Sequence, residues 1–209
     1  MIVTAEIRWF GRGLPPADLL AWFERASLHA RAPNTGQWSE HRYLYEAGQQ
    51  ELGIKQRGTA RDIEIKGLVM AELDQLDTAP LAGRIELWSK WSSTLAALQG
   101  RPTIALRKRR RLRHYHWQTG ALDEVFPEEP LADGRTAHCH AELTDLLLAE
   151  HPWWTLGLEA SGAFADLVPQ VRTVAAHLAR FDPPALAPAG CLSYPAWLQL
   201  HAGAASTSE

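Results

Sequence analysis

Charged residues recur two apart through short segments of this chain: Glu6 and Arg8 flank Ile7, Lys55 and Arg57 flank Gln56, and Glu64 and Lys66 flank Ile65. Arg107, Arg109 and Arg111 alternate through one further segment, His140 and Glu142 share another, and Glu159 closes the series. In an extended strand, residues i and i+2 point to one face. If such strands join and curl, their cations and carboxylates converge. Arg forks match phosphate oxygens and Lys supplies a point charge. Carboxylates suit hard divalent cations, or serve as general bases toward a water. An outward-facing charged sheet is the alternative, with cross-strand pairs worth about 0.2–1 kcal/mol each.

In the run from Arg107 to Arg113, the odd-numbered residues are read as the anion-binding face. Lys108 and Arg110 share the other face with Ile104, Leu106 and Leu112, the apolar residues expected to pack against helices. Two H-x-H pairs, His114 with His116 and His138 with His140, suit either a transition metal or ordinary packing. Tyr43, Tyr45, Trp88 and Trp91 suit either ring stacking on a ligand or the core.

The elements that must position these residues are mostly strands. Ile2–Phe10 opens the chain, and Pro15-Pro16 precede a helix with Leu19, Leu20, Phe23 and Ala26 on one face. Strands are expected over Arg42–Glu46, Leu52–Arg57, Asp62–Met70, Arg84–Lys90, Thr103–Trp117, Ala137–Thr144 and Trp154–Glu159. Ser92–Leu98 reads as a short helix and Gly120–Gly134 as an acidic surface loop. Phe164, Leu167, Val171, Val174, Leu178 and Phe181 are spaced for a last helix, with Pro169 in its first turn or kinking it. About eight antiparallel strands are enough to close a narrow barrel.

Composition bounds the rest. A chain of 209 residues, 46% of them hydrophobic, fits one domain over residues 1–202 with a small polar tail at 203–209 expected to be disordered. The net charge of −3 argues against a polycation for nucleic acid. Cys139 and Cys191 cannot build a disulfide framework and fit a reducing, cytoplasmic setting. No apolar run approaches the roughly 20 residues of a membrane helix, and Met1–Arg8 contain no signal-peptide core.

Segments carrying E-x-R, K-x-R, E-x-K, R-x-R and a late Glu, in that order from Thr4 to about Phe181, resemble the CYTH superfamily, the triphosphate tunnel metalloenzymes. The resemblance implies an α+β fold: an eight-stranded, mostly antiparallel β-barrel forming a tunnel, with flanking helices. It also implies a tunnel ligand: Arg8, Lys55, Arg57, Lys66, Lys90, Arg107, Arg109 and Arg111 would hold an anionic triphosphate-type small molecule. Glu6, Glu142 and Glu159 would hold Mg²⁺ or Mn²⁺, and Glu6 and Glu64 would act in catalysis. The family's opening E-x-E-x-K stands here as Thr4, Glu6 and Arg8, and its late acidic pair as Gly157 and Glu159. The activity so implied is metal-dependent hydrolysis of an inorganic or organic triphosphate. With the cations kept and the carboxylates thinned, a non-catalytic module for a phosphorylated or polyanionic ligand is the alternative. An exposed Arg107–Arg113 stripe for nucleic acid or protein is a third reading, and a homodimer is left open.

Overall fold

Strand β1 (Ile2–Arg12) buries seven consecutive residues, Thr4 to Phe10, which only a strand covered on both faces can do. The computed structural model describes residues 1–58, 62–94, 98–118, 121–126, 138–186 and 190–202. After β1 come α1 (Ala17–Arg25), β2 (Asn34–Thr35), β3 (Ser39–Leu44), β4 (Leu52–Arg57), β5 (Ile63–Thr78) and β6 (Leu81–Ser93). The long β7 (Thr103–Gln118) follows, then β8 (Ala121–Val125), β9 (His138–Leu148), β10 (His151–Ser161), α2 (Phe164–Ala179) and α3 (Tyr194–His201).

Each of these strands pairs antiparallel, in the order β7-β3-β4-β5-β6-β1-β10-β9, and β9 pairs back onto β7. That closes an eight-stranded barrel of an α+β fold, with β2 and β8 added to β7 outside the ring. Closure leaves no edge strand within the ring.

The main apolar core lies outside the barrel wall. Alternate residues of β1 (Ala5, Ile7, Trp9) and of β10 (Leu156, Leu158, Ala160) face the helices. Helix α2 lays Leu167, Val171, Val174 and Leu178, all 0% exposed, against them. Helix α1 adds Leu19, Trp22 and Phe23, and Trp22 Nε1 donates to Leu178 O at 3.3 Å, joining the two helices. Each such side chain contributes about 1.5–3 kcal/mol by burial. A second cluster fills one end of the barrel interior, where Phe10, Tyr43, Leu106, Leu146 and Leu148 meet Trp197 and Leu198 of α3.

Several sequence expectations are corrected. Helix α3 was not foreseen, although Ser193-Tyr194-Pro195 carries a helix-start pattern and Ser193 Oγ accepts from Ala196 N. Ser92 and Ser93 belong to β6 rather than to a helix, while 95–97 lie outside the described residues. Within the segment read as a loop, Ala121–Val125 forms β8 against β7; 127–137 lie outside the described residues, as does the tail 203–209. Pro169 sits in the second turn of α2, not the first. The stretch around Pro80 and Gly83 is a hairpin between long strands, so β5 and β6 extend well past their expected ends.

Candidate anion-binding cavity

The inward faces of the eight barrel strands enclose a cavity of about 360 Å³. Strand alternation puts Glu6 and Arg8 of β1 into it, with Lys55 and Arg57 of β4, Glu64 and Lys66 of β5, Lys90 of β6, Glu142 of β9 and Glu159 of β10. Each of these was a candidate from the sequence. Register sets their neighbours: Glu6 lies beside Glu86 on β6 and Glu159 on β10, and Lys55 beside Glu64 and Tyr43.

Arg107, Arg109 and Arg111 do not line the cavity; Lys108 and Arg110 do. The expected facing of β7 is therefore reversed. On the outer face, Arg109 and Arg111 bond Asp145 at 2.8 and 3.0 Å, and Trp38 lies 5.6 and 5.3 Å from Arg107 and Arg109. Arg113 and Tyr115 share that face and are buried under α1: Arg113 donates to Phe23 O, Glu24 O and Glu124, and Tyr115 to Ala26 O. The apolar residues that had suggested a helix-facing surface are interior ones, Leu106 in the end cluster and Leu112 on the cavity wall.

Eight Lys and Arg side chains line the cavity against five Glu, an excess of three cations. The carboxylates are held by this excess. Lys66 pairs with Glu6, which also accepts from Thr4 Oγ1 at 2.7 Å. Lys55 pairs with Glu64, and Arg57 Nη2 reaches the same carboxylate at 2.5 Å. Burial would raise Glu64, but Lys55, Lys90 and Arg57 outweigh it and hold the group at about 2. Arg8 Nη1 donates to Glu142 Oε1 at 2.9 Å, and Arg110 Nε lies 3.1 Å from Oε2. Glu142 is likewise held far below the usual carboxylate range by Arg8 and Arg110, against the opposing effect of burial. Glu159 sits at about 2: Lys66 and Lys90 overcome its desolvation.

Glu86 differs. It accepts from Trp88 Nε1 at 2.9 Å, and among the described residues no Lys or Arg pairs with it. Burial, aided by the charge of Glu6, raises its pKa. The cations show the converse strain. Burial pushes Lys55 down to about 8 despite Glu64, and drives Lys108 well below its ordinary value, with Arg110 and Lys55 adding to the effect.

A divalent metal on Glu6, Glu142 and Glu159 does not fit this arrangement. Among the described residues, no group of three or more His, Cys, Asp or Glu converges to hold an ion. Cations lie against all three: Lys66 on Glu6, Arg8 and Arg110 on Glu142, and Lys90 3.7 Å from Glu159. The H-x-H pairs do meet, His114 opposite His140 and His116 opposite His138 on β7 and β9. Their rings lie 4.4 Å apart for His114–His140 and 4.7 Å for His138–His140. Burial, with His114 and His138 nearby, lowers His140 to about 4, and burial with His138 also lowers His114, so these two imidazoles are neutral near pH 7.

Sequence reasoning also passed over Arg84 and Tyr194. Arg84 is an exposed cation on the cavity wall. Tyr194 comes from α3 and stacks beside Tyr43 at 6.1 Å; its signal was the helix start at Ser193. No protein-family model matches the chain, and no curated protein matches it in sequence.

Proposed function

We propose that this chain binds a phosphorylated or polyanionic small molecule inside its barrel. The observation that carries this reading is the excess of three cations over carboxylates in a cavity of about 360 Å³. Arg57 and Arg84 are exposed, but the buried cations carry a desolvation cost that a bound anion relieves, and the depressed lysines Lys55 and Lys108 mark where that cost falls. The volume is within the range of small-ligand sites. Phosphate is the favoured anion because Arg8 and Arg110 bring forked donors and Lys55, Lys66 and Lys90 bring point charges to one space. The test is calorimetric titration with tripolyphosphate in EDTA. Saturable binding with micromolar affinity is expected; absence of binding, or binding that appears only with Mg²⁺, would sink the reading.

Hydrolysis of a triphosphate is the second reading, and Glu86 is the observation favouring it. Its raised pKa and its freedom from a Lys or Arg partner among the described residues suit a general base toward a water beside a bound phosphoryl group. Glu64, held at about 2, is a poor base, and Glu6 is tied to Lys66. Phosphate release from tripolyphosphate, measured with Mg²⁺ or Mn²⁺ and lost in Glu86→Gln, would put this reading first.

A further inference from the structure

The outer face of β7 carries a row of cations that the barrel interior does not use. Arg107, Arg109 and Arg111 stand there, with Glu40 and Arg42 of β3 on one side and Asp145 of β9 on the other. Asp145 is shared by Arg109 and Arg111, and Glu40 is taken by Arg42 at 3.2 Å. Arg107 is exposed and pairs with no carboxylate among the described residues. Four Arg against two carboxylates leave this face with an excess of two cations, on a chain whose net charge is −3. The row stops at Arg111, because Arg113 is buried under α1.

The arginine run contains no aromatic residue, but the fold brings one to it. Trp38, from the segment before β3, has its ring centre 5.6 Å from Arg107 Cζ and 5.3 Å from Arg109 Cζ. It is 37% exposed and belongs to neither apolar cluster. The two guanidinium groups hold the indole in place on the surface.

Arg residues two apart on a strand are spaced by about 6.6 Å, so the row can follow an extended phosphate backbone. An exposed ring among such cations takes the face of an unstacked base, whatever its sequence. A duplex keeps its bases stacked, so it would use the cations and leave the indole idle. An acidic peptide would do the same. We propose that the outer face of β7 binds single-stranded nucleic acid, with Arg42, Arg107 and Arg109 on its phosphates and Trp38 stacked on a base. The site is independent of the anion-binding cavity, since Lys108 and Arg110 occupy the opposite side of the same strand.

The test follows fluorescence anisotropy of a labelled oligouridylate of about twelve nucleotides with the full chain, in EDTA. Native protein should bind it with a micromolar dissociation constant at about 50 mM salt. Log affinity should fall against log salt with a slope of about −2, as three phosphate contacts on a single strand require. Trp38→Ala should weaken binding by about tenfold with the slope kept. Arg107→Gln should weaken it by about threefold and reduce the slope by about 0.7. Melting temperatures of both variants should stay close to native, which separates a lost contact from a damaged fold. Tripolyphosphate added at constant ionic strength should leave the oligonucleotide bound. Its displacement by equimolar tripolyphosphate would place it in the cavity and overturn the proposal. Equal binding of a duplex of the same length, or of polyglutamate of the same charge, overturns it as well. So does binding unchanged in Trp38→Ala, or no binding at all, and each of these leaves the cavity reading standing.

Discussion

At the scale of single residues, Arg8 and Gly157 act as a pair. A Cβ on Gly157 would fall 2.7 Å from the Arg8 guanidinium carbon, so the absent side chain is what lets Arg8 lie flat on β10 and reach Glu142. The two positions are thus coupled through one space. Gly157→Ala should displace the guanidinium, the movable end of a long side chain, and so lower tripolyphosphate affinity by about tenfold with a small change in melting temperature. Unchanged affinity on titration would show that the flat placement of Arg8 is irrelevant. Arg109 and Arg110 give a sharper contrast. Arg110→Gln should cost at least about tenfold in affinity, while Arg109→Gln, which breaks a bond to buried Asp145 and a contact with Trp38 on the outer face, should stay within about twofold.

At the scale of elements, β7 decides the site, and α1 and β8 decide β7. A strand with charge on both faces has no facing of its own, because a shift of one residue exchanges the faces. The facing is fixed by Arg113, which is 1% exposed, donates to the α1 carbonyls of Phe23 and Glu24, and meets Glu124 of β8 at 2.5 Å. Cations suit the carbonyl end of a helix. Removing Glu124 strands a buried guanidinium, so Glu124→Ala should destabilise by about 3–5 kcal/mol, read as a loss in chemical-denaturation free energy. A loss under about 1 kcal/mol would show that the bonds to the carbonyls of Phe23, Glu24 and Arg31 alone satisfy Arg113. Helix α3 has the matching role at the barrel end, through Trp197 and through the Ser193 cap.

At the scale of the whole molecule, the interior titrates as a unit. Glu64 and Glu159, held at about 2 in the fold against 4.5 when free, supply stability that is complete above 4.5 and lost as pH falls toward 2. His140, at about 4 in the fold against 6.5 when free, resists protonation, so its effect also turns against the fold as pH drops from 6.5 to 4. Thermal melting followed by circular dichroism should therefore show a midpoint that declines steadily from pH 6.5 to pH 2; a plateau down to pH 3 would contradict the ion-pair account. Ligand binding should follow the lysines. Lys55 loses its charge as pH rises through about 8, so tripolyphosphate affinity should fall between pH 7 and pH 9, by up to about tenfold per unit for each proton taken up on binding. A profile flat to pH 9 would mean that Lys55 does not meet the anion.

The eight barrel strands and the inward set Glu6, Arg8, Lys55, Arg57, Glu64 and Lys66 were legible in the sequence because a spacing of two is a local property: whatever the sheet does, such residues share a face. Helix α2 was legible for the same reason at its own period. The facing of β7 was not, since its two faces carry nearly the same mixture and the choice was made by α1 and β8, distant in sequence. Nor was the identity of the closed end: Tyr194 enters the cavity only because Trp197 docks on Phe10 across the barrel. Alternation settles which residues travel together, while burial of the remaining side chains, a sum over the whole fold, settles where each set arrives.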